Sequence, residues 1–164
     1  MIGLSRLSLN QATVKRLPLG QALGLCQRHD IPAVGLWRDR VAELGVAESA
    51  AAVRRSGRHV STLCRGGFFT HADPDGRRAA VADNLAAIEE AAALEADALV
   101  LVSGGLVPGT RDLGLARRMI ADGIGAIVPR PPRWACGWAS SRCTRCSART
   151  AACWSAWATP WTWR

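Results

Sequence analysis

We expect this chain to lack the segments that direct proteins out of the cytoplasm or into a membrane. No apolar run reaches the ~20 residues that cross a bilayer, and the first residues do not form a basic-then-apolar signal peptide. Cysteine is also sparse before residue 130, where Cys26 and Cys64 lie far apart inside apolar runs. We therefore expect a cytoplasmic protein without a membrane partner, and buried thiols rather than a disulfide framework.

Acidic residues are absent from the last part of the chain, because Asp122 is the final one. Residues 130–164 hold six of the seven Trp, four of the six Cys and six Arg. Residues 1–129 therefore contain 15 basic and 13 acidic residues, so they contribute only +2 to the net charge of +8. The pI of 10.4 therefore does not indicate nucleic-acid binding, and we expect no specific nucleic-acid partner. We predict a domain over residues 1–129 and an irregular or disordered tail over 130–164.

Strand and helix patterns alternate along residues 1–129. Short apolar runs predict four strands, and apolar residues at helical spacing predict four helices. The strands are predicted at 2–9, 31–37, 59–64 and 98–102, and the helices at 19–29, 46–55, around 81–92 and 112–129. This alternation predicts an α/β fold with a parallel sheet, either doubly wound or part of a (β/α)8 barrel. No G-x-G-x-x-G follows the first strand, which counts against a dinucleotide-binding fold.

Two of these elements have patterns that predict which side chains are buried. The third helix carries one apolar stripe at helical spacing, formed by Val81, Leu85, Ile88 and Ala92. The fourth strand, ALVLV at 98–102, is continuously apolar. We expect that strand to be buried on both faces.

Polar, aromatic and glycine residues follow the strands, where either architecture gathers its ligand site. Arg65 could hold a phosphate or carboxylate, with the backbone amides of Gly66 and Gly67 as further donors. Trp37 could form an apolar wall against a sugar. Alternatively, Trp37 and Phe68 cap the core and Arg65 is solvated. The candidate substrate-binding residues are Asn10, Gln11, Trp37, Arg38, Arg65, Gly66, Gly67 and Phe68.

Four segments together resemble one protein family. They are LSLNQATV at 7–14, VGLWRDRV at 34–41, STLCRGGFFT at 61–70 and DNLAAIEEAAALEADALVLVSGG at 83–105. They are similar to the sugar phosphate isomerase/epimerase family of xylose-isomerase-like barrels, and LCRGGFF is the most specific piece. The resemblance implies a (β/α)8 TIM barrel, of which this chain supplies about four βα units.

The resemblance also implies a chemistry. Intact members isomerise or epimerise a sugar or sugar phosphate on a divalent metal (Mn, Mg, Co or Zn), with carboxylates moving a proton. Their metal ligands and catalytic acids follow strands five to eight, beginning with a Glu in an L-E-P-L-H motif, and no position here matches that Glu. We therefore expect no catalytic residue, metal site or cofactor in this chain, but an inactive fragment whose open sheet edges favour self-association.

The tail begins where the family pattern requires a fifth strand, and it can be read in another frame. Each shifted codon takes the third base of one codon and the first two of the next. Trp134 before Ala135, and Trp138 before Ala139, then both force Gly, because Trp has one codon. With GC-rich third bases, residues 131–146 become AEVGVRLGLEPLHPMF, which contains the missing motif. The sequence therefore favours a frameshift near residues 129–133.

Three features suggest metal or surface binding instead. Four tail cysteines with C-x6-C-x2-C-x6-C spacing could bind zinc, namely Cys136, Cys143, Cys146 and Cys153. The tail Trp and Arg could contact a membrane or nucleic acid, so a small binding module is the alternative function. His71, Asp73 and Asp75 resemble a metal-ligand cluster, although this segment also fits a turn that leads into a helix.

Overall fold

The computed structural model describes residues 4–128, which form a four-stranded parallel sheet and five α-helices. This confirms the predicted α/β class. The elements are β1 (Ser8–Asn10), α1 (Leu19–Arg28), β2 (Ala33–Trp37), α2 (Arg38–Leu44), α3 (Val46–Ser56), β3 (His59–Gly67), α4 (Pro74–Ala93), β4 (Leu99–Val102) and α5 (Leu113–Ile127), with 3-10 turns at Leu4–Arg6 and Gln11–Val14. The domain boundary predicted at residue 129, and the tail with its cysteines, lie outside the described residues.

The strands follow one another in the sheet in the order β1-β2-β3-β4, and each is parallel to the next. One hydrophobic core joins the sheet to α1, α3 and α4, so these helices lie on the same face. A doubly wound sheet reverses its strand order and carries helices on both faces. The observed order therefore differs from a doubly wound fold. The core residues below 10 % exposure are Leu19, Leu23, Cys26, Val34, Leu36, Val41, Ala50, Val53, Val60, Leu63, Ala91 and Leu94.

Several elements differ from the sequence prediction, and α4 begins at Pro74 rather than near residue 81. The strand predicted at 2–9 is confined to Ser8–Asn10, because Leu4–Arg6 forms a 3-10 turn. The short helix Arg38–Leu44 was missed, since it starts directly after Trp37 without a capping side chain. The third strand continues past Cys64 to Gly67, since it pairs there with β4 beyond a register shift.

The apolar stripe predicted on α4 is not its buried face. Leu85 is 44 % exposed and Ile88 is 37 % exposed. The buried positions of α4 are instead Ala80, Asn84, Ala87 and Ala91. The small alanines let the helix lie close to β3, and Leu85 lines a groove of about 830 Å³ towards α5. The periodicity was therefore helical, but the face in contact with the sheet is the one with small residues.

The fourth strand is exposed, so the prediction that both its faces are buried is wrong for this chain. Val100, Leu101 and Val102 are 37–38 % exposed. In the described sheet β4 pairs on one side only, with β3. Its second edge and its helix-free face therefore remain uncovered by residues 4–128.

Other expectations concern the thiols and the membrane. Cys26 and Cys64 are buried and not in a disulfide, as predicted, and burial raises the pKa of both thiols. Within residues 4–128, no helix combines the length and the apolar composition needed to cross a bilayer.

Helix α4 starts at a carboxylate cap. The Asp73 side chain accepts a hydrogen bond from the Gly76 amide at 2.6 Å, and this bond holds the pKa of Asp73 below its ordinary value. Asp75 pairs with Arg78 and the His71 ring lies beside Gly76, so all three members of the suspected metal cluster serve the start of this helix.

The cap gives a pH-dependent prediction for Asp73→Asn. A carboxyl whose folded-state pKa is lowered stabilises the fold above its unfolded pKa of about 4, and that contribution is lost as the pH falls below it. Asparagine caps a helix as well as aspartate but does not titrate. Urea unfolding should therefore show wild type more stable relative to Asp73→Asn at pH 6 than at pH 3. A difference that stays constant across this range would contradict the assignment.

Candidate ligand-binding site

The carboxyl ends of the strands bring four of the predicted residues together, namely Asn10, Trp37, Arg65 and Phe68. Leu9 packs against the core and Leu36 lies within it. Successive strand residues point to opposite faces, so Asn10 and Trp37 project from the other side. The two strands are in register there, with Asn10 opposite Gly35.

Asn10 and Gln11 hold Trp37 in place. The Trp37 indole Nε1 donates to Asn10 Oδ1 at 2.9 Å, and its backbone amide donates to Gln11 Oε1 at 3.1 Å. Gln11 is only 1 % exposed. Within the described part of the chain its Nε2 has no hydrogen-bond partner, and Gln11 lines a cavity of about 60 Å³ with Lys15, Trp37 and Asp39. Gln11 therefore holds the Trp37 backbone, while Asn10 fixes the orientation of the Trp37 ring.

Arg65 lies over two aromatic rings. Its guanidinium carbon is 4.9 Å from the centre of the Phe68 ring and 5.9 Å from that of Trp37. Arg65 and Phe68 are exposed, the latter at 41 %. These three residues, Trp37, Arg65 and Phe68, are called the aromatic–arginine cluster below. Cation–π contacts at exposed sites contribute about 0.5–1 kcal/mol each, enough to bias the orientation of the guanidinium.

The Arg38 guanidinium is bound within the chain, whereas the sequence predicted a substrate contact for it. Its guanidinium donates to both oxygens of Glu90 at 2.8 and 2.9 Å and to both oxygens of Asp83 at 3.0 Å. These hydrogen bonds, to Glu90 first and Asp83 second, raise the pKa of Arg38 above its ordinary value. These ion pairs attach the first residue of α2 to helix α4. Sequence could not reveal it, because the partners lie 45 and 52 residues away.

The backbone at the end of β3 is also hydrogen-bonded within the chain. The Gly67 amide donates to Asn84 Oδ1 at 2.5 Å, and the Phe68 amide donates to the Val102 carbonyl at 2.7 Å. Asn84 Nδ2 donates back to the Gly67 carbonyl at 2.9 Å. The sequence predicted the Gly67 amide as a donor to the ligand, but this amide is already bonded to Asn84. Gly66 is buried and lies against Asn84.

The turn after β3 has an uncommon backbone conformation. Phe68 has φ +57° and Gly67 has φ +105°. A side chain at Gly67 would overlap the Val102 carbonyl, so glycine is required there. Positive φ is costly for a bulky residue and is found preferentially where the surrounding structure fixes a functional side chain. Here it places the Phe68 ring under Arg65.

Small and hydroxyl-bearing side chains line the helix-free face below the cluster. Ser8 Oγ and Ser61 Oγ are 2.6 Å apart, and Thr62 Oγ1 would lie 2.8 Å from a side chain at Gly35. Large aliphatic residues dominate the interior of most (β/α)8 barrels. This face instead presents small side chains and hydrogen-bonding groups. Sequence reasoning missed Ser8, Ser61 and Asn84, although Asn84 is the one polar residue at the i, i+4 spacing of buried alanines on α4.

No metal site forms in the described part of the chain. Within residues 4–128, no three His, Cys, Asp or Glu side chains come close enough together to hold a metal ion. Asp83 and Glu90 are already bound by Arg38. These residues therefore do not fit the divalent metal that the resemblance implies, and no metal-dependent step is assigned to them.

Comparison with known proteins finds a likeness among solved structures. No family model and no curated protein matches the chain. Among solved structures, protein SMc04130 from Sinorhizobium meliloti 1021 is similar, with 44 % sequence identity and a TM-score of 0.75. The match covers 77 % of this chain and 46 % of that one, so the chain spans about half the length of SMc04130. The two proteins share a fold over the matched part.

Proposed function

We propose that residues 4–128 are the first half of a (β/α)8 barrel of the sugar phosphate isomerase/epimerase type. The observation that carries this proposal is the unbroken parallel order β1-β2-β3-β4 with α1, α3 and α4 on one face. A singly wound sheet of this kind curves towards closure when further units follow. The length of SMc04130, about twice that matched here, supports it.

The helix-free face supports a polyhydroxylated substrate. Trp37 offers an apolar ring face. Ser8, Ser61 and Thr62 offer hydroxyls near Gly35, which has no side chain. In this proposal the described half binds and orients a sugar or sugar phosphate. The metal and the acids that move the proton belong to the second half of the intact barrel, whether the reaction is isomerisation or epimerisation.

We further propose that residues 130–164 are an out-of-frame translation of the fifth βα unit. The coding DNA tests this directly. One inserted or deleted base near the Pro129 codon should restore a long frame that begins with the AEVGVRLGLEPLHPMF segment. A DNA sequence without such a frame would refute the frameshift.

The purified chain should show no metal-dependent turnover, whereas the frame-restored protein should isomerise or epimerise a sugar or sugar phosphate when Mn²⁺, Mg²⁺, Co²⁺ or Zn²⁺ is added. The measurement is NMR of substrate mixtures incubated with each protein, with EDTA-treated protein as the control. Turnover by the present chain would refute the proposal that it is an inactive half. Stoichiometric zinc with unfolding that depends on it would instead favour a tail-based binding module.

A further inference from the structure

We propose that Arg65 recognises an oxyanion group, a carboxylate or a phosphate monoester, on the ligand that enters the helix-free face. The inference concerns the substrate class of the proposed site and rests on the proposed function for the polyhydroxylated part of the ligand. Anion binding itself follows from the contacts of Arg65 and can be tested separately.

Three arginines lie near the carboxyl ends of β2 and β3, and they differ in what they bind. Arg38 is held by Glu90 and Asp83. Arg40 donates to Glu43 at 2.6 and 2.9 Å and to the Lys15 carbonyl at 2.7 Å. Among residues 4–128, the Arg65 guanidinium has no hydrogen-bond or ion-pair partner within bonding distance. Its N–H donors are therefore available to a ligand.

The aromatic–arginine cluster orients those donors in advance. The Arg65 guanidinium is over the Phe68 ring at 4.9 Å and near the Trp37 ring at 5.9 Å. The Trp37 ring is fixed by its hydrogen bond to Asn10, and the Phe68 backbone is held by the hydrogen bond that its amide donates to the Val102 carbonyl. A guanidinium that rests on aromatic faces keeps its in-plane N–H edge free for bidentate contact with an oxyanion.

The carboxylates nearest the cluster are bound by another arginine. Arg38 pairs with both Asp83 and Glu90 and offsets one of their two negative charges, which reduces their repulsion of an anion. One Arg38 nitrogen also lies 3.5 Å from the Arg65 carbonyl oxygen. The Gly67 and Phe68 amides are bonded within the chain, which leaves the side chain of Arg65 as the principal donor.

The surrounding groups restrict the ligand further. Ser8 and Ser61 hydroxyls lie on the same face, near Gly35, whose missing side chain leaves room for the Thr62 hydroxyl. A ligand that uses both parts carries an oxyanion at one end and hydroxyls along its length. This describes a sugar acid or a sugar phosphate, and the two differ only in the group that contacts Arg65.

The test is calorimetric titration of the full chain with three probes: gluconate, glucose 6-phosphate and neutral glucose. We expect Arg65→Gln to weaken binding of gluconate, glucose 6-phosphate or both about 10-fold or more, the effect of losing a charge-assisted bidentate contact. Arg65→Lys should recover only part of the affinity, because it keeps the charge but loses the fork. An Arg65-dependent response to one anion alone identifies its group as the recognised one.

Arg54→Gln is the matched control, since Arg54 is an exposed arginine near the end of α3 and its loss changes the net charge equally. Equal weakening in Arg54→Gln and Arg65→Gln would overturn the proposal, because general attraction to a basic chain would then explain the binding. Unchanged affinity in Arg65→Gln, with an unchanged unfolding transition, would overturn it as well. Arg65-dependent binding of both anions, with inactivity of the frame-restored protein, would refute the proposed function but leave the anion site intact.

Discussion

Asn84→Asp is expected to lower the free energy of unfolding by about 3 kcal/mol at pH 8. Asn84 is fully buried, and its amide group makes three hydrogen bonds to backbone. The oxygen accepts from the Gly67 amide, and the nitrogen donates to the Gly67 and Ala80 carbonyls at 2.9 and 2.8 Å. A carboxylate keeps the shape and the acceptor but places negative charge against two carbonyl oxygens.

The pH dependence distinguishes this mechanism from a simple packing defect. Burial and the two carbonyls should raise the pKa of the introduced carboxyl above its ordinary value of about 4. A raised folded-state pKa means that stability is present at low pH and is lost as the pH rises. Urea unfolding should therefore show a larger destabilisation at pH 8 than at pH 4.

Glu89→Gln is the matched control, because Glu89 is an exposed residue on the same helix. It should change stability by no more than about 0.5 kcal/mol. An Asn84→Asp protein as stable as this control at pH 8 would show that Asn84 does not fix the turn after β3. That turn carries Phe68, so the same variant should also weaken anion binding at Arg65.

Val102→Lys is expected to shift the chain strongly towards monomer. We propose that the exposed β4 edge drives self-association, since Val100, Leu101 and Val102 are each more than a third exposed. Val102 projects from the helix-free face, because Leu99, three positions earlier in the strand, packs against the core. Lysine at an edge strand places a charge that a second strand would have to bury, which opposes pairing.

Leu44→Lys provides the comparison, since Leu44 is 44 % exposed and lies on α2, away from the sheet edge. Light scattering after size-exclusion chromatography at several concentrations measures both variants. Val102→Lys should reduce the associated fraction far more than Leu44→Lys. An equal effect of the two would mean that overall hydrophobicity or the tail, rather than the β4 edge, causes association.

The elements that sequence predicted well are those with local signals. Leu19–Arg28 starts after Pro18 and buries Leu19, Leu23 and Cys26 at helical spacing, so the helix and its buried face were both correct. On α4 the helix was correct but the buried face was not. Large apolar side chains at helical spacing indicate which face of a helix can be buried. The distance between the helix and the sheet depends instead on which face carries small side chains. That distance is a tertiary property.

The candidate site divides in the same way. The sequence indicated that Asn10, Trp37, Arg65 and Phe68 follow strands, and the parallel sheet does bring them to one end. It did not indicate which of them are already bound. Arg38 and Arg65 looked equivalent as basic residues after strands, and only the approach of α4 supplies Asp83 and Glu90 to one of them.

Sequence by itself determined the alternation of strands and helices, the change in composition after residue 129 and the residue types available at the strand ends. These follow from periodicity, composition and the genetic code, all of which are local. Tertiary structure decided that α1, α3 and α4 share one face, that β4 is left open and that Arg65 rests on Phe68 while Arg38 is neutralised. Hydrogen bonds and charge pairs form between groups 17 to 52 residues apart, so their energies exist only once the chain has folded.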